Sequence, residues 1–249
     1  MPKISVIIPV YNHLSALKKC LPALVRQTFS DYEIILVNDG STDSLSFWLR
    51  EFIADHPSLP LKIFNQENRG RPQARNFGFA QATGEYVLFC DADIIMRSDM
   101  LEKLNYTLDN HPQAAYVYSS FIFGWKLFRL WEFDPARLKT MPYIHTTALL
   151  KREYFPGWDE NLKKFQDWDL WLTLLEKGQI GVWLPEVLFK ADVSNKDKIS
   201  SWLPSFFYGM PWQKLGLKMP AVDEYRAARE IILEKHHLKI PLNQTPATD

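Results

Sequence analysis

With 249 residues, 47% of them hydrophobic, the chain can bury one sizeable core near the upper size of a single domain, so one principal α/β domain with a short appendage is expected. Lysine plus arginine equals aspartate plus glutamate at 29 each, which leaves no net field to draw the protein to nucleic acid and makes any basic function local. Cys20 and Cys90 lack disulfide-framework or zinc spacing, the N-terminus shows no signal-peptide pattern, and no apolar stretch reaches the roughly 18 residues that span a bilayer, so a cytoplasmic protein is expected.

In chain order, Ile4 to Ile8 is a continuous apolar run, as a strand buried on both faces should be. Leu14, Leu17, Leu21 and Leu24 then recur at spacings of three and four, one helical stripe facing a sheet. Glu33 to Val37, Leu61 to Phe64, Tyr86 to Phe89 and Ala115 to Tyr118 are further strands. Helices are expected between them over Leu45 to Phe52, Pro72 to Ala82 and Met100 to Leu108, preceded by capping residues Thr42, Asp43, Ser44 and Ser98 or opened by proline. This alternation is that of βα units building a mostly parallel central sheet flanked by helices, a Rossmann-like α/β fold. After Ser120 the alternation gives way to an aromatic-rich insertion, Phe121 to Trp131, and a short helix near Pro135 to Leu138. Thr146 to Leu150 reads as a strand and Asp167 to Lys177 as a helix stopped by Gly178. Residues 1–200 are expected to form the principal domain, in two halves over 1–120 and 121–200. Residues 201–249 form an extension. It holds the aromatic cluster Trp202 to Trp212, which suits either a membrane-surface or partner contact or packing back on the domain, and a helix from about Val222 to His237.

Ligands of open α/β sheets gather beyond the carboxyl ends of the strands. Three expected strands end there in polar groups: Pro9-Val10-Tyr11-Asn12, Asn38-Asp39-Gly40-Ser41, and Cys90-Asp91-Ala92-Asp93. A carboxylate at that edge can accept from a base or a ribose hydroxyl, and two carboxylates two residues apart can hold a hard divalent ion together with phosphate oxygens. Taken singly, each has a structural reading: turn chemistry for Asp39, a solvated loop for Asp91 and Asp93, an ion pair for Arg75, a helix start for Asp167.

Together these blocks, with Asn68-Arg69-Gly70 running to Ala74-Arg75-Asn76, Gly84-Glu85-Tyr86, and Gln166-Asp167-Trp168-Asp169, resemble glycosyltransferase family 2, in order and spacing over about residues 4 to 190. The resemblance implies a GT-A fold and an inverting transferase that moves a sugar from a nucleoside-diphosphate sugar, a UDP-sugar favoured, to a hydroxyl of a carbohydrate or lipid-linked acceptor. It implies that Asp39 contacts the base, that Pro9 to Asn12 pack on the nucleoside, and that Arg75 serves the diphosphate or its neighbouring carboxylates. Asp91-Ala92-Asp93 matches the DxD motif, with Asp93 and Asp91 as ligands of Mn2+ or Mg2+. Asp167 matches the general base, with Gln166, Trp168, Asp169 and His145 at the acceptor or behind it. For a polysaccharide pathway, peripheral contact with the inner face of the cell membrane would follow.

Two departures stand out. Gln166 takes a place where many members have glutamate, and near Phe189 only Lys190, Lys196 and Lys198 offer the positive charge that relatives supply with arginine or histidine. They motivate an alternative, a nucleotide-sugar-binding protein with impaired catalysis. Nucleotidyl transfer lacks its glycine-rich activating loop, and a dinucleotide oxidoreductase lacks its glycine fingerprint after the first strand.

Overall fold

The computed structural model describes residues 1–193 and 219–239. Lys196, Lys198, the Trp202 to Trp212 cluster and the tail from Pro241 lie outside them. Strands β1 (Ile4–Val10), β2 (Tyr32–Asp39), β3 (Leu61–Gln66) and β4 (Tyr86–Phe89) run parallel in the order β3-β2-β1-β4. Every residue of β1, β2 and β4 is buried, the outcome their continuous apolar runs require. Helices α1 (Leu14–Val25), α2 (Leu45–Asp55) and α3 (Arg71–Gln81) connect them. The α1 stripe buries Leu17, Leu21 and Leu24 as expected, together with Ala16, Cys20 and Ala23. Helix α3 lies so close over the sheet that a Cβ on Gly78 would sit 2.6 Å from Ile7 Cγ2 and 3.1 Å from Val37 Cγ2.

Beyond β4 the sheet becomes mixed, with β5 (Ile94–Met96), β6 (Ala114–Phe123), β8 (Leu149–Lys151) and β9 (Ile180–Ala191) added in the order β8-β6-β9-β5. Strand β8 is antiparallel to both neighbours, β6 and β9 are parallel, and β5 closes the edge antiparallel to β9. The parallel expectation therefore holds for the first half. In the second half, β5 is too short to show a period, and β9 carries Pro185 and half-buried positions that conceal its twelve-residue length. The aromatic segment after Ser120 is not wholly an insertion: Phe121 to Phe123 continue β6 and turn at Gly124 (φ 62°) into β7 (Lys126–Phe128).

Helix α4 (Met100–Asp109) precedes β6, and α5 (Pro135–Thr140) is capped by Asp134, whose carboxylate accepts from Arg137 N. Helix α6 (Gln166–Glu176) follows the left-handed residue Phe165 (φ 58°). A final helix, α7 (Pro220–Lys235), docks on α6 through His236 at its end. The buried imidazole places Nε2 2.8 Å from Asp169 Oδ1 and Nδ1 2.7 Å from Glu176 Oε1.

Candidate active site

The carboxyl ends of β1, β2 and β4 meet at a cavity of about 330 Å³ that includes Pro9, Val10, Tyr11, Asp39, Arg71 and Asp91. The loops around it are tied to one another. Asn12 adopts φ 51°, and its Oδ1 accepts from Thr42 N (2.8 Å), while its own N–H donates to Ser41 Oγ (3.1 Å). Asp43 accepts from Leu14 N and Leu45 N, so one carboxylate serves the starts of both α1 and α2. Asn12 thus joins two loops, a role that uses its side chain inside the protein.

Asp39 is buried and takes three hydrogen bonds: Gln66 Nε2 (2.7 Å) and Arg69 N (2.9 Å) to Oδ1, and Gly70 N (2.9 Å) to Oδ2. A carboxylate has about four acceptor positions. One is left for a ligand in the cavity, so Asp39 both builds the loop before α3 and borders the site.

Arg75 is 2% exposed and stacks its guanidinium 4.6 Å over the Trp158 ring. Its Nη2 donates to Asp91 Oδ1 at 2.6 Å and its Nη1 to Gln166 Oε1 at 3.3 Å. The neighbouring carboxylate expected as a partner of Arg75 is thus Asp91. Burial raises the Asp91 carboxyl, but the charges of Arg75 and then Arg71 outweigh it and hold Asp91 well below the usual carboxylate range. Burial, then the Asp91 charge, pushes Asp93 up to about 6. Behind the turn, Cys20 and Cys90 are free thiols whose Sγ atoms lie 3.7 Å apart, a proximity their spacing of seventy residues gives no hint of.

Arg71 is the residue that sequence reasoning missed. It opens α3 and lies one helical turn before Arg75, so both face the same edge. Its side chain is 35% exposed in the cavity, with Nη1 3.8 Å from Asp91 Oδ2. The signal was present in the i, i+4 pair of arginines at a helix start, where backbone N–H groups also favour anions.

Asp167 lies in the first turn of α6 with its Oδ1 accepting from Trp168 N at 2.9 Å. Burial raises its pKa, while that N–H and the Arg75 charge pull it back. It borders a second cavity of about 460 Å³, together with His145. His145 Nδ1 accepts from Thr147 N at 3.0 Å, and its ring packs against Phe121 and Phe189, which stack on each other. Burial lowers its pKa to about 4, so at neutral pH the imidazole is uncharged with its proton on Nε2.

Two of the residues expected at the acceptor or behind it stand behind the cavity wall. Trp168 has no exposed surface and its Nε1–H donates to Leu138 O at 2.7 Å, so it is core behind Asp167. Asp169 faces away from the cavity, to His236 and to Lys235 Nζ at 2.8 Å. Gln166 bridges Arg75 and Leu162 O. Lys190 is exposed on β9, paired in register with Ile95.

Comparison with known proteins gives a consistent result. The model of glycosyl transferase family 2 matches residues 5–163. An uncharacterized glycosyltransferase of Rickettsia conorii is 30% identical over 195 residues, 72% of this chain and 31% of its own, so the chain spans less than a third of that relative. The putative glycosyltransferase EpsE of Bacillus subtilis is 26% identical over 98% of this chain and 96% of its own. Among solved structures, S. aureus TarS 1-349 in complex with UDP-GlcNAc superposes with a TM-score of 0.67 at 21% identity, over 94% of this chain and 72% of that one. Mannosyltransferase PcManGT from Pyrobaculum calidifontis, in complex with GDP-Man and Mn2+, gives 0.67 at 20% identity over 95% and 73%. At that identity the likeness shows a shared fold.

Proposed function

Because this chain belongs to glycosyl transferase family 2, we propose that it is an inverting glycosyltransferase moving a sugar from a nucleoside-diphosphate sugar to an acceptor hydroxyl, with Asp167 as general base. The observation that carries this reading is the alignment of two cavities about one charged line. Arg71 and Asp91 border the first, Arg75 and Gln166 stand behind, and Asp167 borders the second. Similar folds solved with UDP-GlcNAc and GDP-Man support a donor of that chemistry, and we assign it to the first cavity, against Pro9 to Tyr11, Asp39 and Arg71.

The chemistry follows from the groups present. An acceptor hydroxyl is a poor nucleophile at neutral pH, and the Asp167 carboxylate takes its proton as oxygen attacks the anomeric carbon. The new C–O bond forms as the anomeric C–O bond to phosphate breaks, and that electron pair leaves with the nucleoside diphosphate. A single displacement inverts the configuration. Arg71, exposed at the site, is the cation we assign to the leaving diphosphate. Arg75 is committed to Asp91 and fixes the turn.

Among the described residues no cluster of three or more His, Cys, Asp or Glu forms a metal cage. Mg2+ commonly needs only one or two carboxylates when phosphates complete its shell. Asp93 fits that demand, because burial and the neighbouring Asp91 charge raise the cost of its ionisation, a cost a dication relieves. Asp93, with Asp91, would hold such an ion, which when bound supplies neutralisation of charge on the diphosphate.

The test is a thermal-shift panel of UDP-, GDP-, dTDP- and ADP-sugars with and without Mn2+ or Mg2+. A donor present at about 100 times its Kd stabilises by about 2.7 kcal/mol. Stabilisation by one nucleotide class is expected. No shift with any donor, with or without metal, overturns the reading, and donor stabilisation without diphosphate release or transfer supports the catalytically impaired alternative.

A further inference from the structure

We propose that the cavity beside Asp167 is built for an acceptor bearing an oxyanion, a phosphate ester or a carboxylate, gripped by Arg129 and Arg137. This rests on the reading of Asp167 as the base. The cavity of about 460 Å³ lies within the roughly 300–1,000 Å³ of ligand sites. Among the described residues that line it, Asp167 is the one acid, against three cations: Lys126, Arg129 and Arg137. That local excess stands out in a chain with no net charge.

The two arginines are also unspent. Cations that serve the architecture elsewhere are paired: Arg97 with Asp99 and Glu186, Lys103 with Glu186, Lys235 with Asp159 and Asp169. Among the described residues, neither Arg129 nor Arg137 has a carboxylate within ion-pair distance. Arg137 instead lays its guanidinium 3.5 Å over the Trp131 ring. Stacking fixes the plane of the fork while leaving its in-plane N–H groups for a bidentate oxyanion. The surrounding aromatic faces suit the C–H face of a sugar or polyol ring. A neutral acceptor would fill the same space and leave Arg129 and Arg137 unanswered, so the cavity discriminates by charge.

The experiment follows the Trp131 indole N–H by NMR, assigned with Trp131→Phe, in the full chain titrated with methyl glucoside, glucose 6-phosphate and glucuronate. At least one anion is expected to bind about tenfold more tightly than methyl glucoside, equal to about 1.4 kcal/mol. The tighter of the two identifies phosphate or carboxylate. The double variant R129Q/R137Q, its fold checked by the remaining indole signals, is expected to bind all three alike. Equal binding of the neutral sugar, persistence of the preference in the double variant, or no shift with any probe overturns the proposal. An anion preference together with unchanged turnover in D167N overturns the acceptor role and the reading of Asp167 while leaving the anion site, so the two failures are distinguishable.

Discussion

Replacing His236 by glutamine perturbs the joint between α7 and the helix that carries Asp167. Both ring nitrogens of His236 face carboxylate oxygens, Asp169 at 2.8 Å and Glu176 at 2.7 Å, and carboxylates only accept, so the ring donates twice as an imidazolium. Burial lowers its pKa, but the hydrogen bonds to Asp169 and Glu176 outweigh burial and the net shift is upward. A hydrogen bond to a charged group contributes about 1.5–3 kcal/mol. The Glu176 bond is discounted because that side chain is 53% exposed, and Asp169 keeps Lys235 as a second cation. His236→Gln should therefore cost about 2–4 kcal/mol at pH 6, read by urea unfolding. A folded pKa raised above the unfolded value of about 6.5 gives stability that is complete below 6.5 and is lost as pH rises through the folded value. The gap between wild type and variant should shrink from pH 6 to pH 9. A gap that grows with pH, or one below about 0.5 kcal/mol at pH 6, would refute a charged clamp.

Arg71→Gln should weaken nucleoside-diphosphate binding about tenfold or more, measured by calorimetry, with the melting temperature nearly unchanged, because Arg71 is partly exposed and 3.8 Å from Asp91. Asp91→Asn should instead destabilise by about 3–5 kcal/mol in urea, since it leaves the buried Arg75 charge without its carboxylate. Glu33 accepts from Ser5, Thr83 and Lys62, and although burial raises its pKa these bonds carry it down to about 2. Its stabilisation is present above the ordinary carboxylate range and lost as pH falls through about 2. Glu33→Gln should lower urea stability at pH 7 and differ little from wild type at pH 2, provided both remain folded there.

The first half of the fold was legible because each element carries its own period: three buried strands, β1, β2 and β4, as apolar runs, and α1 as a stripe at spacings of three and four. The second half was less so. Strand β5 has three residues, β8 begins only at Leu149 after Thr147 N bonds His145, and β9 is held by neighbours on both sides more than by any pattern of its own. Within the site, the order of motifs brought Asp39, Asp91 and Asp167 to one region, but not what each touches. The Arg75–Asp91 pair, the three donors on Asp39 and the burial of Trp168 are tertiary facts with no local signature. Arg71 was within reach, as the residue one turn before Arg75.

Whether the proton of an acceptor hydroxyl moves to Asp167 is read from the rate of nucleoside-diphosphate release in Asp167→Asn. With the donor that the thermal-shift panel identifies, turnover should fall by roughly 100-fold to 10,000-fold, while donor Kd stays within about twofold because Asp167 borders the second cavity and not the first. Turnover equal to wild type at unchanged donor affinity would contradict that transfer.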